Sequence, residues 1–305
     1  MKRRHFVKKT AAIMATVPLL GAMEHLDSKA PLFRKAPGFS LKILNTNWGF
    51  NGSREAFFSK TKEAGYDGVE LWVPEDTADQ DDLLAMAKKY GLEFGLLCGG
   101  NEADFSKHLA HFEASVEKAI ALKPLYINCH SGRDWFTFEQ NRSFIDLTTR
   151  LSNSSGIPIY HETHRGRMLF AAHTTRNFLE KIPDLRLTLD ISHWCNVHES
   201  LLGDQSETVD LALSRTDHIH TRVGHAEGPQ VNDPRAPEWE TALKVHLAWW
   251  DKVVEMKAKA GLPLTMLTEF GPPNYLPALP YTLQPVADQW AINVHMKDLL
   301  RKRYQ

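Results

Sequence analysis

Leu185-Arg186-Leu187-Thr188-Leu189-Asp190-Ile191-Ser192-His193 reads as a buried strand that ends on a carboxylate. Side chains alternate along a strand, so Leu185, Leu187 and Leu189 share one face. A leucine face of that kind packs beneath a helix layer. Asp190 has the opposite parity and points to the other side of the sheet.

Working outward, the same unit recurs through the chain. Short apolar runs that suit buried strands occupy 41–44, 68–72, 94–97, 125–128, 158–161, 185–189, 218–220 and 263–267. Amphipathic stretches separate them. Ser53 is placed to cap a helix that runs through Ala64 and stops at Gly65. Asp81 and Asp82 are placed to start a helix that stops at Gly91. Leu109, Phe112, Val116 and Ile120 form a buried stripe on a helix over 106–122. Phe144, Leu147 and Leu151 mark the next helix, and Thr174 or Thr175 opens another. Further helices are expected over 207–214, 238–260 and 284–302. Eight strand–helix units in succession give a parallel α/β fold. A closed (β/α)₈ barrel typically takes ~250 residues, which suits a single domain over 40–305. An open doubly wound sheet would carry a G-x-G-x-x-G turn, and the sequence has none.

The N-terminus has a different character. Lys2-Arg3-Arg4-His5-Phe6-Val7-Lys8-Lys9 precedes an apolar stretch from Thr10 to Met23. A basic region before a short apolar one is the pattern of an export signal, and the paired arginines suit the twin-arginine type. Residues 1–30 are therefore expected to be that signal and the start of a linker, 31–39 the rest of the linker, and the product periplasmic. Pro18 and the shortness of the run argue against a membrane span. The chain has 36 basic and 37 acidic side chains. Five of the basic ones and no acidic one lie in residues 1–22, so the remainder has a net charge of −6. A mildly acidic domain repels phosphate backbones, which argues against nucleic acid as a partner. Cys98, Cys129 and Cys195 form no C-x-x-C pair and read as buried free thiols.

Reactive residues of a (β/α)₈ barrel sit where the strands end at its C-terminal face. Strand five runs into Glu162, strand six into Asp190, strand seven into His220 and strand eight into Glu269. Four consecutive strands thus offer a potential metal ligand at one height. Three carboxylates and one imidazole make a hard, oxygen-rich donor set. It suits one divalent ion, Mn²⁺ as the first choice, with Mg²⁺, Co²⁺ or Zn²⁺ as alternatives. His218 shares the parity of His220 one layer lower and reads as a packed histidine or a donor beneath the ligand. His130 ends strand four and is a candidate substrate contact. The basic run His164-Arg165-Gly166-Arg167 suggests a polar substrate group near His164 and Arg167. Trp48, Trp72, Trp135 and Trp194 all lie near expected strand ends, where indole faces suit sugar rings.

Taken together, Gly65-Tyr66-Asp67-Gly68-Val69-Glu70-Leu71, Glu162, Asp190-x-x-His193, His218-x-His220 and Glu269 resemble the xylose isomerase-like barrels, which include sugar phosphate isomerases/epimerases and ketose 3-epimerases. The resemblance spans about residues 40–300. It implies that Glu162 and Glu269 bind the metal and also exchange protons with the substrate, and that His193 touches a substrate oxygen. The expected activity is a metal-dependent sugar isomerase or epimerase. It abstracts a proton α to a sugar carbonyl and passes through an enediolate. The alternatives are a lyase that eliminates across a 3-keto-glycoside and a non-catalytic sugar-binding barrel. In the ketose epimerases an arginine follows the strand-seven histidine by six residues. Here that position is Ala226, and Arg222 is the nearest arginine and the candidate substrate contact. The endonuclease branch needs an Asp-x-His pair after strand seven, which Asp233-Pro234-Arg235 breaks. The expected partner is a small carbohydrate; oligomeric state, a homo-oligomer included, stays open.

Overall fold

The computed structural model describes residues 35–305, so the expected export signal and linker residues 31–34 lie outside the described residues. Eight parallel strands close into one barrel in chain order: β1 (Leu41–Thr46), β2 (Gly68–Trp72), β3 (Glu93–Gly99), β4 (Ile127–His130), β5 (Ile159–Glu162), β6 (Leu187–Leu189), β7 (Thr216–His220) and β8 (Leu264–Thr268). β1 closes the ring on β8, with Ile43 opposite Met266 and Leu44 opposite Leu267. Around it lie α1 (Arg54–Glu63), α2 (Thr77–Tyr90), α3 (Phe105–Ala121), α4 (Phe138–Ser155), α5 (Ala172–Lys181), α6 (Ser192–Val197), α7 (Ser206–Ser214), α8 (Glu240–Ala260) and α9 (Gln289–Tyr304). No helix among the described residues is long and apolar enough to cross a membrane.

Parity along the strands sorts the side chains as the leucines of β6 foretell. Leu187 and Leu189 pack outward with helix residues such as Phe178, Val209 and Leu213. The opposite parity faces the barrel axis. Leu44, Tyr126 and Leu267 cluster there, and polar residues occupy the upper layers. All three cysteines are free and buried. His161 faces outward between β5 and α4, where Thr148 and Ser131 hold its two nitrogens at 2.8 and 2.7 Å.

Local capping explains where expectation and structure part. Ser53 caps α1 by accepting from the Ala56 amide. α2 begins at Thr77, one turn earlier than Asp81 would start it, because Asp76 accepts from the Asp79 amide and caps there. α5 has no side-chain cap; Thr175 instead donates to the Leu169 carbonyl. α9 begins at Gln289 rather than 284, capped by Asp288 on the Ala291 amide. α6 is a short helix directly after Asp190 that the strand pattern does not announce. On the face opposite the strands' C-terminal ends, Lys35 Nζ donates to the Tyr304 carbonyl at 2.8 Å, and the Ala36 amide donates to the Ala258 carbonyl. There too, Gln305 Nε2 donates to the carbonyl of Leu41, the first residue of β1.

Candidate active site

β5 to β8 deliver their terminal polar residues to one place. One ligand-capable atom from each of Glu162, Asp190, His220 and Glu269 can be chosen so that all four lie within 4.8 Å of one another. Glu162, Asp190 and His220 are buried, and the Glu269 side chain is 13% exposed. His220 Nδ1 stands 2.9 Å from Glu269 Oε2 and 3.7 Å from Glu162 Oε1. None of these three buried atoms makes a well-formed hydrogen bond; their nearest polar neighbours are one another and the Arg222 guanidinium. Buried polar atoms rarely go unpaired. Three that converge are what a cation's donor set looks like when its ligands are held in place by other contacts. The residues present therefore fit a divalent ion, with Glu162 Oε1, Glu269 Oε2 and His220 Nδ1 as donors.

The opposite atom of each group is anchored. Glu162 Oε2 accepts from Asn128 Nδ2 at 2.8 Å and from His130 Nε2 at 2.9 Å. His220 Nε2 faces Glu70 Oε1 at 3.3 Å. Burial alone would raise the Glu70 carboxyl, but His220 and His218 hold it well below the usual carboxylate range. Burial would likewise raise Glu162, yet His130 and His220 keep it well below. His220 is driven the other way: burial opposes protonation, but the carboxylates of Glu269, Glu162 and Glu70 raise it well above an ordinary histidine. Beneath, His218 Nδ1 donates to Thr265 and the Tyr126 hydroxyl donates to His218 Nε2 at 3.2 Å. His218 is thus a satisfied, buried histidine one layer below the cup.

Asp190 differs from its neighbours. Its Oδ1 accepts from the Ser192 amide and hydroxyl, and its Oδ2 from Arg222 Nη2. Arg222 Nη2 also donates to His193 Nε2 at 2.9 Å and lies 3.4 Å from Glu269 Oε2. The guanidinium is fully buried between the ring of Tyr275, 4.7 Å away, and that of Trp48, 5.9 Å away. Burial raises the Asp190 carboxyl to about 6 against the opposing pull of Arg222, with Glu269 and Glu162 adding to the rise. Arg222 therefore brings a positive charge to the cup from two residues beyond His220.

A cavity of about 440 Å³ opens above the cup. Trp48, Trp72, His130, His164, Arg222, Glu269 and Tyr275 line it, with Glu70 at its floor. Of the sequence candidates, Glu269, His130, His164 and Arg222 reach this cavity. Glu162, Asp190, His220 and His193 stand behind them. Burial drives His164 down to about 3 and His193 well below the ordinary histidine range, so both imidazoles are neutral. Arg167, expected near a substrate group, is not among the residues that line this cavity. Its guanidinium donates to the Gly100 carbonyl at 2.6 Å and to Asn101 Oδ1 at 3.0 Å, bracing the loop after β3. Trp48 and Trp72 line the cavity. Trp135 is not part of it, and Trp194 is buried with its indole N–H on the Leu169 carbonyl.

Two participants escape a reading of strand ends. Glu70 sits mid-strand among Val69 and Leu71, and a carboxylate in a buried apolar run is the signal that marks it. Asn128 likewise interrupts β4. Neither position lies at the height where ligands were sought.

Comparison with known proteins agrees with this architecture. Residues 58–238 match the family model described as xylose isomerase-like TIM barrel. No curated protein matches the chain by sequence. Similar solved structures include the 3-keto-D-glucoside 4-epimerase of E. coli in its apo form, with TM-score 0.59 and 15% identity, covering 86% of this chain and 100% of that one. A D-tagatose 3-epimerase-like protein aligns with TM-score 0.55 and 14% identity, over 85% of this chain and 97% of that one. The probable 3-DHS dehydratase of petrobactin synthesis from Bacillus anthracis aligns with TM-score 0.54 and 16% identity, over 86% and 99%. At such identities the likeness is one of fold. The family model covers more than half of the residues, and with the closed eight-stranded barrel it places this chain in the xylose isomerase-like TIM barrel family.

Proposed function

We propose that this chain is a divalent-metal-dependent epimerase or isomerase that moves a proton on the carbon next to the carbonyl of a keto sugar. The observation that carries the reading is the convergence of Glu162 Oε1, Glu269 Oε2 and His220 Nδ1, all buried and none in a well-formed hydrogen bond, beside a cavity walled by Trp48 and Trp72. The similar structures include enzymes whose names place their chemistry on keto sugars, which agrees with the reading. Glu162, Glu269, His220 and Asp190 would hold the ion. When bound, a divalent cation supplies Lewis-acid polarisation of the substrate's carbonyl oxygen.

The residues of the chain supply the rest. Glu269 reaches the cavity and takes the α proton as general base. Glu162, on the other side of the same cup, takes a proton from solvent as the enediolate forms and gives it to carbon, while Glu269 releases its proton to solvent, so that both carboxylates end as they began. Return to the same carbon from the opposite face inverts it; return to the neighbouring carbon isomerises the sugar. Arg222 presents Nη1, buried and without a partner, as a donor for the developing oxyanion. Trp48, Trp72 and Tyr275 enclose the sugar and limit water. We further propose that residues 1–30 direct export and that the enzyme works in the periplasm, with Mn²⁺ as the ion.

The test joins metal analysis of purified protein to a screen of keto and aldo sugars in D₂O with added Mn²⁺. Deuterium at the carbon beside the carbonyl is the expected result. Release of an aglycone from an oxidised glycoside would move the chemistry to elimination. A metal-loaded protein that exchanges no proton on any sugar would overturn the enzymatic reading in favour of a binding protein.

A further inference from the structure

The cavity above the cup does not end at Trp72. A second cavity of about 560 Å³ adjoins it and shares Asn47, Leu71 and Trp72 as walls. It runs outward over the ends of β2 and β3. Trp72, the last residue of β2, is 53% exposed and stands between the two spaces, edge-on to His130 at 5.4 Å. An exposed indole of this kind, fixed by a neighbouring ring, offers a flat apolar face.

The floor of the second cavity is bare backbone. Gly99 and Gly100 end β3 there, and the sites where their Cβ atoms would lie are hemmed in. A Cβ on Gly99 would stand 3.0 Å from His130 Cβ and 3.5 Å from Trp72 Cζ3. One on Gly100 would stand 2.8 Å from Glu102 Oε2. The two glycines thus let His130 and Glu102 pack close against the end of the strand. Arg167 and Arg133 tie the loop after β3 from below through the Gly100 and Asn101 carbonyls, so the floor is held in place.

The far wall is polar and acidic. Glu75, Asp79, Glu102 and His111 line it, with Arg54 as the one permanently charged base. Arg54 is already paired with Asp79 at 2.7 Å and Asp82 at 2.9 Å. Glu102 pairs with His111 at 2.5 Å. Glu75 lies 3.4 Å from Lys118 Nζ, so each carboxylate of the wall has a basic partner and no unpaired arginine or lysine lines the wall to receive a phosphate or a uronate, whereas the polar groups suit hydroxyls.

We propose that this second cavity is a subsite for a neutral, hydroxylated ring joined to the reacting sugar. The substrate is then an uncharged glycoside of at least two rings, not a free ketose or a sugar phosphate. Trp72 stacks on the second ring, and Glu102 and His111 take its hydroxyls. The proposal rests on the keto-sugar reading above for the identity of the first ring.

Binding can be measured without turnover, which separates the two claims. Calorimetry on the full protein with glucose, with neutral glucose disaccharides of differing linkage, and with the same disaccharides carrying a terminal uronate gives three arms. At least one neutral disaccharide is expected to bind ten times more tightly than glucose, and its uronate form at least ten times more weakly than itself. A Glu102→Ala/His111→Ala double variant is expected to bring the disaccharide-to-glucose ratio below threefold, and circular dichroism checks that it is folded. Equal affinities, binding of neither sugar, a preferred uronate or an undiminished ratio in the folded variant would each overturn the subsite. A disaccharide preference that stands while no sugar exchanges deuterium would leave the subsite intact and overturn the reaction. Exchange that is equally efficient with 3-ketoglucose and the 3-keto disaccharides, without a binding preference, would do the reverse.

Discussion

Glu70 Oε1 lies 3.3 Å from His220 Nε2, on the side of the imidazole away from Glu162 and Glu269. This contact orients the imidazole. With Nε2 turned toward a buried carboxylate, Nδ1 faces the cup, where a bound cation would take the place of the proton that Glu269, Glu162 and Glu70 otherwise favour on the ring. Partners of this kind typically change metal affinity by ~10–100-fold when removed. Glu70→Ala is therefore expected to weaken Mn²⁺ binding by a factor in that range, measured by calorimetry. Glu70→Gln keeps an acceptor oxygen and should retain most of the affinity. Parental affinity in the alanine variant would remove Glu70 from this role.

Glu162→Gln and Glu269→Gln keep the shape of each side chain and remove its basicity. Each is expected to abolish solvent deuterium exchange while the circular dichroism spectrum stays that of the parent. Full exchange in either one would show that the proton is carried elsewhere.

Arg222 neutralises Asp190, and both side chains are buried. Removing one partner of such a buried pair leaves an uncompensated charge and costs about 3–5 kcal/mol. Arg222→Met should therefore lower the melting temperature of metal-free protein by several degrees. Mn²⁺ replaces the lost positive charge, so it should raise the melting temperature more in the variant than in the parent. A variant as stable as the parent without metal would show that Asp190 is held by Ser192 alone.

His161 is buried between Ser131 and Thr148, and burial pushes it down to about 3. Unfolded, a histidine titrates near ~6.5. Between those values the unfolded chain binds the extra proton, so stability is present above about 6.5 and lost as pH falls toward 3. At ~1.4 kcal/mol per unit, and with the unfolded group already half titrated at 6.5, the loss on going from pH 6.5 to 4.5 amounts to roughly 2 kcal/mol for this group. Denaturant unfolding across that range should show the decline, and His161→Asn should make it shallower, the buried His164 and His193 keeping the rest. An unchanged slope in the variant would assign the acid sensitivity to other groups.

The barrel is legible in the sequence because both of its periods are written locally. Leu187 and Leu189 against Asp190 give parity, and Phe112 with Val116 gives a helical face. The start of α2 is less legible, since Asp76, Asp79, Asp81 and Asp82 all offer capping oxygens and only backbone geometry selects Asp76. In the site, convergence of Glu162, Asp190, His220 and Glu269 follows from strand ends alone. The Arg222–Asp190 pair does not follow from them. It depends on the loop after β7 passing close to Ser192, which Gly224 permits: a Cβ there would lie 2.7 Å from the Ser192 carbonyl oxygen. Arg167 is placed by a contact that its position in the sequence does not announce. Its position near β5 suggests the mouth, but its length lets it reach the β3 loop instead.

Lys35 meets Tyr304, and Gln305 meets Leu41, on the side of the barrel remote from the cup. Either end of the described chain can therefore be fixed to a bead, a chip or a fusion partner with the catalytic mouth facing outward. Surface immobilisation by residue 35 or residue 305 should leave substrate approach unhindered, whereas a label placed on the loop that follows β2 would stand in the doorway.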